Sequence, residues 1–196
     1  MKNVFLGEYI KQRRLDLGLT QEQLCDGICE PMTLSRLENG KQTPSRNRIN
    51  ALLQRLGLPD DRYFALLSKN ELEMEALQKE IVACNANHRV EEGFETLKKF
   101  EQIADHDDQI AQQFILRSKV LLGRLDQRYT PQEQIDLLMQ AIRLTVPRFN
   151  LDEIERFFYS TDEIKIINQI GIAYSDDGQN KKAAEIYYQL LKYVRK

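Results

Sequence analysis

Helix punctuation is dense in the first third of this chain, and it limits what that stretch can fold into. Val4, Phe5, Ile10 and Leu15 recur at roughly helical spacing, and Leu17-Gly18 closes that run with a C-terminal glycine. Thr20 is an N-cap residue by type, and Gln23 lies three positions on, as a capping box requires. The second helix is then short, about Gln21 to Gly27. After a tight connection through Ile28-Cys29-Glu30, Pro31 suits the first turn of a third helix, where its missing N–H is not needed. Leu34 and Leu37 face inward, and Gly40 stops this helix after Asn39. A fourth starts near Pro44-Ser45, buries Ile49, Leu52, Leu53 and Leu56, and ends at Gly57. A fifth runs from about Asp60 to Leu67, with Tyr63, Phe64 and Leu67 apolar. Five short helices within residues 1–68 leave few ways to build a core. Two of them, joined by a tight turn and followed by basic residues, have the form of a helix-turn-helix.

Charge supports that division. The whole chain of 196 residues carries 28 Lys+Arg and 30 Asp+Glu, a net charge of -2, so it is not uniformly basic. Residues 1–68 are net positive and residues 69–196 net negative. Within residues 31–55, Arg36, Lys41, Arg46, Arg48 and Arg55 face Glu38 alone, a bias that favours an anionic partner.

The residues then become specific. Leu19-Thr20-Gln21-Glu22-Gln23-Leu24, followed by Leu34-Ser35-Arg36-Leu37-Glu38-Asn39-Gly40-Lys41, resembles the Cro/C1-type (XRE) DNA-binding domain. The likeness covers residues 4–67. The turn is one residue shorter than in most phage-type members, and Gly27-Ile28-Cys29 with Thr33-Leu34-Ser35-Arg36 resembles the Rgg/PlcR-like branch. The resemblance implies a five-helix, lambda-repressor-like unit whose third helix enters the major groove. With Leu34 and Leu37 turned inward, Pro31, Met32, Thr33, Ser35 and Arg36 are left toward the duplex. Arg36 suits guanine O6 and N7, Thr33 and Ser35 can donate to bases or phosphates, and Met32 suits a thymine methyl. Gln21 stands where the family places a phosphate-contacting glutamine. Lys41, Arg46 and Arg13 are candidate phosphate contacts that fix register. The family also implies a structural ion pair between Arg14 and Glu38.

Residues 69–196 read as a second helical domain, beginning with a run from Asn70 to about Asn87. Ile167, Ile170-Gly171, Tyr174, Gly178, Ala183 and Tyr187 follow the spacing of a tetratricopeptide repeat. Leu77, Ile81, Cys84, Gly93, Leu97 and Phe100 take the same places earlier with poorer residue types. A further pair joins Gln109–Leu122 to Pro131–Val146 through a long loop, Arg124 to Thr130, and Pro147 closes it. A short helix is expected around Leu151–Phe158. Stacked helix pairs form a concave surface suited to peptides. Repeat counting places Asn85, Lys165 and Asn168 on it as candidate peptide-binding residues, while Gln112 and Gln113 belong either there or to the solvent side. At Lys196, Ile186, Leu190, Leu191 and Val194 would lack a polar cap, so either a partner covers that end or the repeat domain is incomplete there.

The fold class is therefore all-α: a helix-turn-helix domain at 1–68 followed by a tetratricopeptide-like α-solenoid at 69–196. That order resembles the Rgg/PlcR-like (RRNPP) regulators. The resemblance implies a cytoplasmic homodimer on a two-fold operator in double-stranded DNA, with a short signalling peptide of the quorum-sensing kind on the repeats. The alternative is a repeat-type interaction adaptor whose helix-turn-helix no longer binds DNA; Pro31 and Met32, where polar readers are common, favour it.

Other classes find little support. Cys25, Cys29 and Cys84 are too few, and odd in number, for a disulfide framework, and no zinc ligand set accompanies them. His88 and His106 have no partner at catalytic spacing. Gly40-Lys41 is followed by Gln42 rather than Ser or Thr, so it is no phosphate loop. No enzyme activity, metal or cofactor is expected, and neither a signal peptide nor an apolar run of about 20 residues is present.

Overall fold

A computed structural model describes residues 6–42, 44–58 and 69–195, and all regular structure among them is helical. The expected helix at Asp60–Leu67 and the apolar pair Val4 and Phe5 lie outside the described residues. Among the described residues four helices form the N-terminal unit: α1 (Leu6–Asp16), α2 (Gln21–Cys25), α3 (Pro31–Glu38) and α4 (Arg46–Arg55). Thr20 caps α2 as a full capping box, and Pro31 occupies the first turn of α3. Ile10, Leu24, Leu34, Leu37, Ile49, Leu52, Leu53 and Leu56 make one closed core.

Six further helices follow as three antiparallel pairs. These are α5 (Lys69–Ala86) with α6 (Val90–Ile103), α7 (Gln109–Leu125) with α8 (Pro131–Thr145), and α9 (Thr161–Asp176) with α10 (Asn180–Val194). Two apolar clusters run through them. Met74, Ile81, Leu97, Phe100, Ile115 and Leu122 join the first pair to α7. Val120, Leu138, Ile142, Ile166, Ile170 and Ile186 continue the core to α10. Close approach within the last pair depends on Gly171: a Cβ there would stand 2.6 Å from the Tyr187 ring.

One expectation needs correction outright and a second, the uncapped C-terminal end, only for Ile186 and Leu190. Between α8 and α9 there is no helix from 151 to 158, only a single 3-10 turn at Ile154–Arg156. Gln189 of α10 donates to the Leu151 carbonyl and the Tyr159 hydroxyl to the Ile154 carbonyl, which engages two carbonyls that a helix over 151–158 would turn to its own N–H groups. At the far end, Ile186 and Leu190 are buried, while Leu191 and Val194 are exposed.

Candidate nucleic-acid interface

Helix α3 is amphipathic, and its two faces divide the labour. Leu34 and Leu37 are buried behind it. Arg36 is exposed and Met32 is 64% exposed, while Pro31, Thr33 and Ser35 are half-buried on the margins. Beyond the helix, Lys41 is also exposed.

Glu38 fixes this helix to the rest of the unit. Arg14 Nε donates to Glu38 Oε1 at 2.7 Å and Arg14 Nη2 to Oε2 at 3.0 Å. The same guanidinium donates through Nη1 to the Leu19 carbonyl at 2.7 Å. Both partners are buried, and the hydrogen bond to Glu38 raises the Arg14 pKa above its ordinary value against the desolvation that lowers it. A fork-to-fork geometry of this kind sets orientation as well as charge.

The other candidate contacts and basic residues are more engaged than their sequence positions suggest. Gln21 Nε2 donates to Glu38 Oε2 at 2.7 Å, which turns the side chain toward the ion pair. Arg13 Nε donates to the Leu56 carbonyl at 3.2 Å. Arg46 reaches Glu75 on α5 at 2.9 Å. Arg55 is removed from the surface altogether. The bias of residues 31–55 is thus only partly a surface charge; Arg36 and Lys41 carry its exposed share.

Arg55 is the side chain that sequence reasoning misplaced. Its Nη1 donates to the carbonyls of Leu24 and Asp26 at 3.2 and 2.6 Å, at the C-terminal end of α2. Its Nη2 donates to the Thr145 carbonyl, at the end of α8, at 2.6 Å, and to Glu163 Oε1 at 2.8 Å. Both side chains of this ion pair are 2% exposed. A cation at helix C-termini and a carboxylate in the first turn of α9 are each where helix dipoles favour them. Around this pair, Arg148 reaches Asp26 at 3.3 Å. With its nitrogen so oriented, the Gln109 amide bridges the carbonyls of Gly27 and Leu144. Gly27 has φ +73°, and any Cβ there would run into the Thr145 backbone. The turn of the helix-turn-helix is therefore seated against the end of α8.

A polar cleft of about 190 Å³ lies beside this contact, with Asn47, Asn50, Gln54, Gln78 and Arg117 among its lining residues. Burial lowers the Arg117 pKa, and Asp162 at 3.6 Å opposes that. Of the candidate peptide residues, Lys165 and Asn168 share a wider groove of about 570 Å³ with Ile164, Tyr187, Leu190, Leu191 and Val194. Asn85 lies on α5 and does not line that groove. Gln113 belongs to neither of the two surfaces considered for it: it is buried and donates to the Ala141 carbonyl and the Thr145 hydroxyl. Gln112 is half-buried and donates to the Asp105 carbonyl. No helix of the described residues is long and apolar enough to cross a membrane.

Together these units define a class: a helix-turn-helix domain borne on stacked helical pairs. Residues 6–63 match the family described as a helix-turn-helix domain. No curated protein matches the chain by sequence. Among solved structures, the chain is similar to PlcR of Bacillus thuringiensis, crystallised with the peptide PapR7 and DNA. The likeness has a TM-score of 0.50 at 22% identity and covers 96% of this chain. The chain spans 64% of the length of that structure's chain. The fold is thus PlcR-like, with a helix-turn-helix domain at its N-terminus.

Proposed function

We propose that this protein is a sequence-specific DNA-binding transcriptional regulator, acting in the cytoplasm as a homodimer, with its output set by a peptide or protein on the repeat domain. The observation that carries this reading is the exposed face of α3, where Arg36 and Met32 stand outward over a buried Leu34 and Leu37. Such a helix fits a major groove, where an arginine fork reads guanine. The solved PlcR complex with peptide and DNA supports the choice of both partners.

In this reading 1–68 is the DNA-binding domain and 69–196 the sensing domain. Arg36, Met32, Thr33, Ser35 and Pro31 face the bases or their edge, and Lys41 and Arg13 meet phosphates. Arg46 and Gln21 would reach phosphates only by leaving Glu75 and Glu38. A dimer would hold half-sites ~34 Å apart or a multiple of that. Lys165 and Asn168, beside the apolar wall of Tyr187 and Leu190, are the peptide-facing residues of choice, because amide side chains can bond an extended backbone.

The adaptor reading draws on the same engaged side chains: Arg46, Arg55 and Gln21 are all committed within the chain. One experiment separates the two. Fluorescence anisotropy against genomic fragments should give specific, salt-sensitive binding that Arg36→Ala weakens by ~1–3 kcal/mol without changing the fold. Binding absent at low salt, or equal in the Arg36→Ala variant, overturns the regulator reading.

A further inference from the structure

The turn between α2 and α3 holds two thiols. Cys25 ends α2 and is 1% exposed. Cys29 lies four residues on, and its backbone N–H donates to the Cys25 carbonyl at 3.1 Å. The two thiols lie close enough to shift each other's titration, and neither is in a disulfide. Their surroundings differ. Cys25 packs into the core of the unit, with its sulfur 3.8 Å from the Glu22 carbonyl. Cys29 is half-buried and lines a surface pocket of about 270 Å³ with Gly27, Thr33 and Arg48. A reagent arriving from solvent therefore meets Cys29 first and finds Cys25 directly behind it.

Electrostatics sharpen the asymmetry. The neighbouring Cys25 thiol lowers the Cys29 thiol pKa, with help from Arg48 and Arg55 and against burial and Glu30. The same neighbourhood, then burial, pushes the Cys25 thiol well up. A thiolate-prone, reachable sulfur beside a protonated buried one is the arrangement of an attacking and a resolving cysteine. The bond from the Cys29 N–H to the Cys25 carbonyl folds the intervening backbone into a single turn, which holds the two Cα atoms about 6 Å apart, within the ~4.4–6.8 Å that a disulfide spans.

We propose that Cys25 and Cys29 form an oxidisable pair, which a hydroperoxide converts to an intrachain disulfide inside the turn of the helix-turn-helix. The Cys29 thiolate attacks a peroxide oxygen and breaks the O–O bond. The leaving oxygen departs as water or an alcohol, and Cys29 becomes a sulfenic acid. The Cys25 sulfur then displaces the hydroxyl from Cys29 sulfur; the S–S bond forms, and the Cys25 proton leaves with the hydroxyl as water. Two electrons pass from the thiol pair to the peroxide. Cys84, buried on α5, takes no part.

The test is peroxide treatment of the whole chain, followed by alkylation and mass spectrometry. Three free thiols should fall to one, with the disulfide confined to the tryptic peptide Leu15–Arg36, and dithiothreitol should restore all three. Cys25→Ser should leave Cys29 as a sulfenic acid that dimedone traps. Cys29→Ser, at the half-buried position, should leave Cys25 reduced under the same dose, with circular dichroism verifying that each variant is folded. Full alkylation of Cys25 and Cys29 after peroxide overturns the proposal, as does a disulfide that joins two chains or uses Cys84.

Discussion

Arg36 and Glu38 are separated by one residue on α3 and have opposite surroundings. Glu38 is buried against Arg14 and also accepts from Gln21. Truncating it leaves a buried guanidinium without its counter-charge. Glu38→Ala should therefore cost about 3–5 kcal/mol, read as a large fall in Tm. Arg36 touches solvent, so Arg36→Ala should melt with the parent protein to within about 0.5 kcal/mol while losing affinity for DNA. Equal melting of the two variants would remove the structural role given to Glu38. At this scale much was legible. The 3.6-residue period put Leu34 and Leu37 inside and left Met32 and Arg36 out, and Thr20 with Gln23 announced a helix start. Arg55 was illegible. It ends a basic stretch and reads as one more surface cation, because its partner Glu163 stands 108 residues away in the sequence.

At the scale of the element, helix ends and helix contacts can be tested separately. Ser160 caps α9, and Glu163 returns the bond to the Ser160 N–H at 2.6 Å. Ser160→Ala should cost about 0.5–2 kcal/mol. Gly171→Ala should cost about 1–3 kcal/mol, because its methyl meets the Tyr187 ring. Restoration by a Gly171→Ala, Tyr187→Leu double variant in thermal unfolding would identify the ring as the obstacle. Between α4 and α5, Lys79 and then Arg46 hold the Glu75 carboxyl below its ordinary pKa. A lowered carboxylate pKa stabilises above the unfolded value and stops doing so as pH falls through the folded one. The Arg46–Glu75 contact should thus persist at neutral pH and loosen only in acid below the ordinary glutamate range, seen as faster amide exchange in α4 that Glu75→Gln reproduces at pH 7. Pairing of the helices was readable from Gly171, Ala183 and the tyrosines. The stretch from 151 to 158 was not: its apolar residues mimic a helical period, but Gln189 and the Tyr159 hydroxyl engage its carbonyls first.

For the whole molecule, the question is whether the two units move as one. Arg55 closes off carbonyls at the ends of α2 and α8 and pairs with a carboxylate that also caps α9. One guanidinium thus joins the turn below α3 to two elements of the repeat domain, and Gly27 seats against Thr145 beside it. A shift of α8 relative to α9 would have to break this junction or carry the turn with it. In the proposed regulator that is the route by which a ligand on the repeats reaches α3. Each half of the pair should matter far more than the pair. Arg55→Met alone, or Glu163→Met alone, strands a buried charge and should cost about 3–5 kcal/mol, whereas the double variant, with the charge removed and the volume filled, should recover most of it. The single variants should also separate unfolding of residues 1–58 from that of residues 69–195, giving two calorimetric transitions where the parent gives one. Additive costs in the double variant, or one unchanged transition throughout, would mean that the units are held together by their apolar contacts, Ile110 against the first core among them, and that Arg55 only fills the seam.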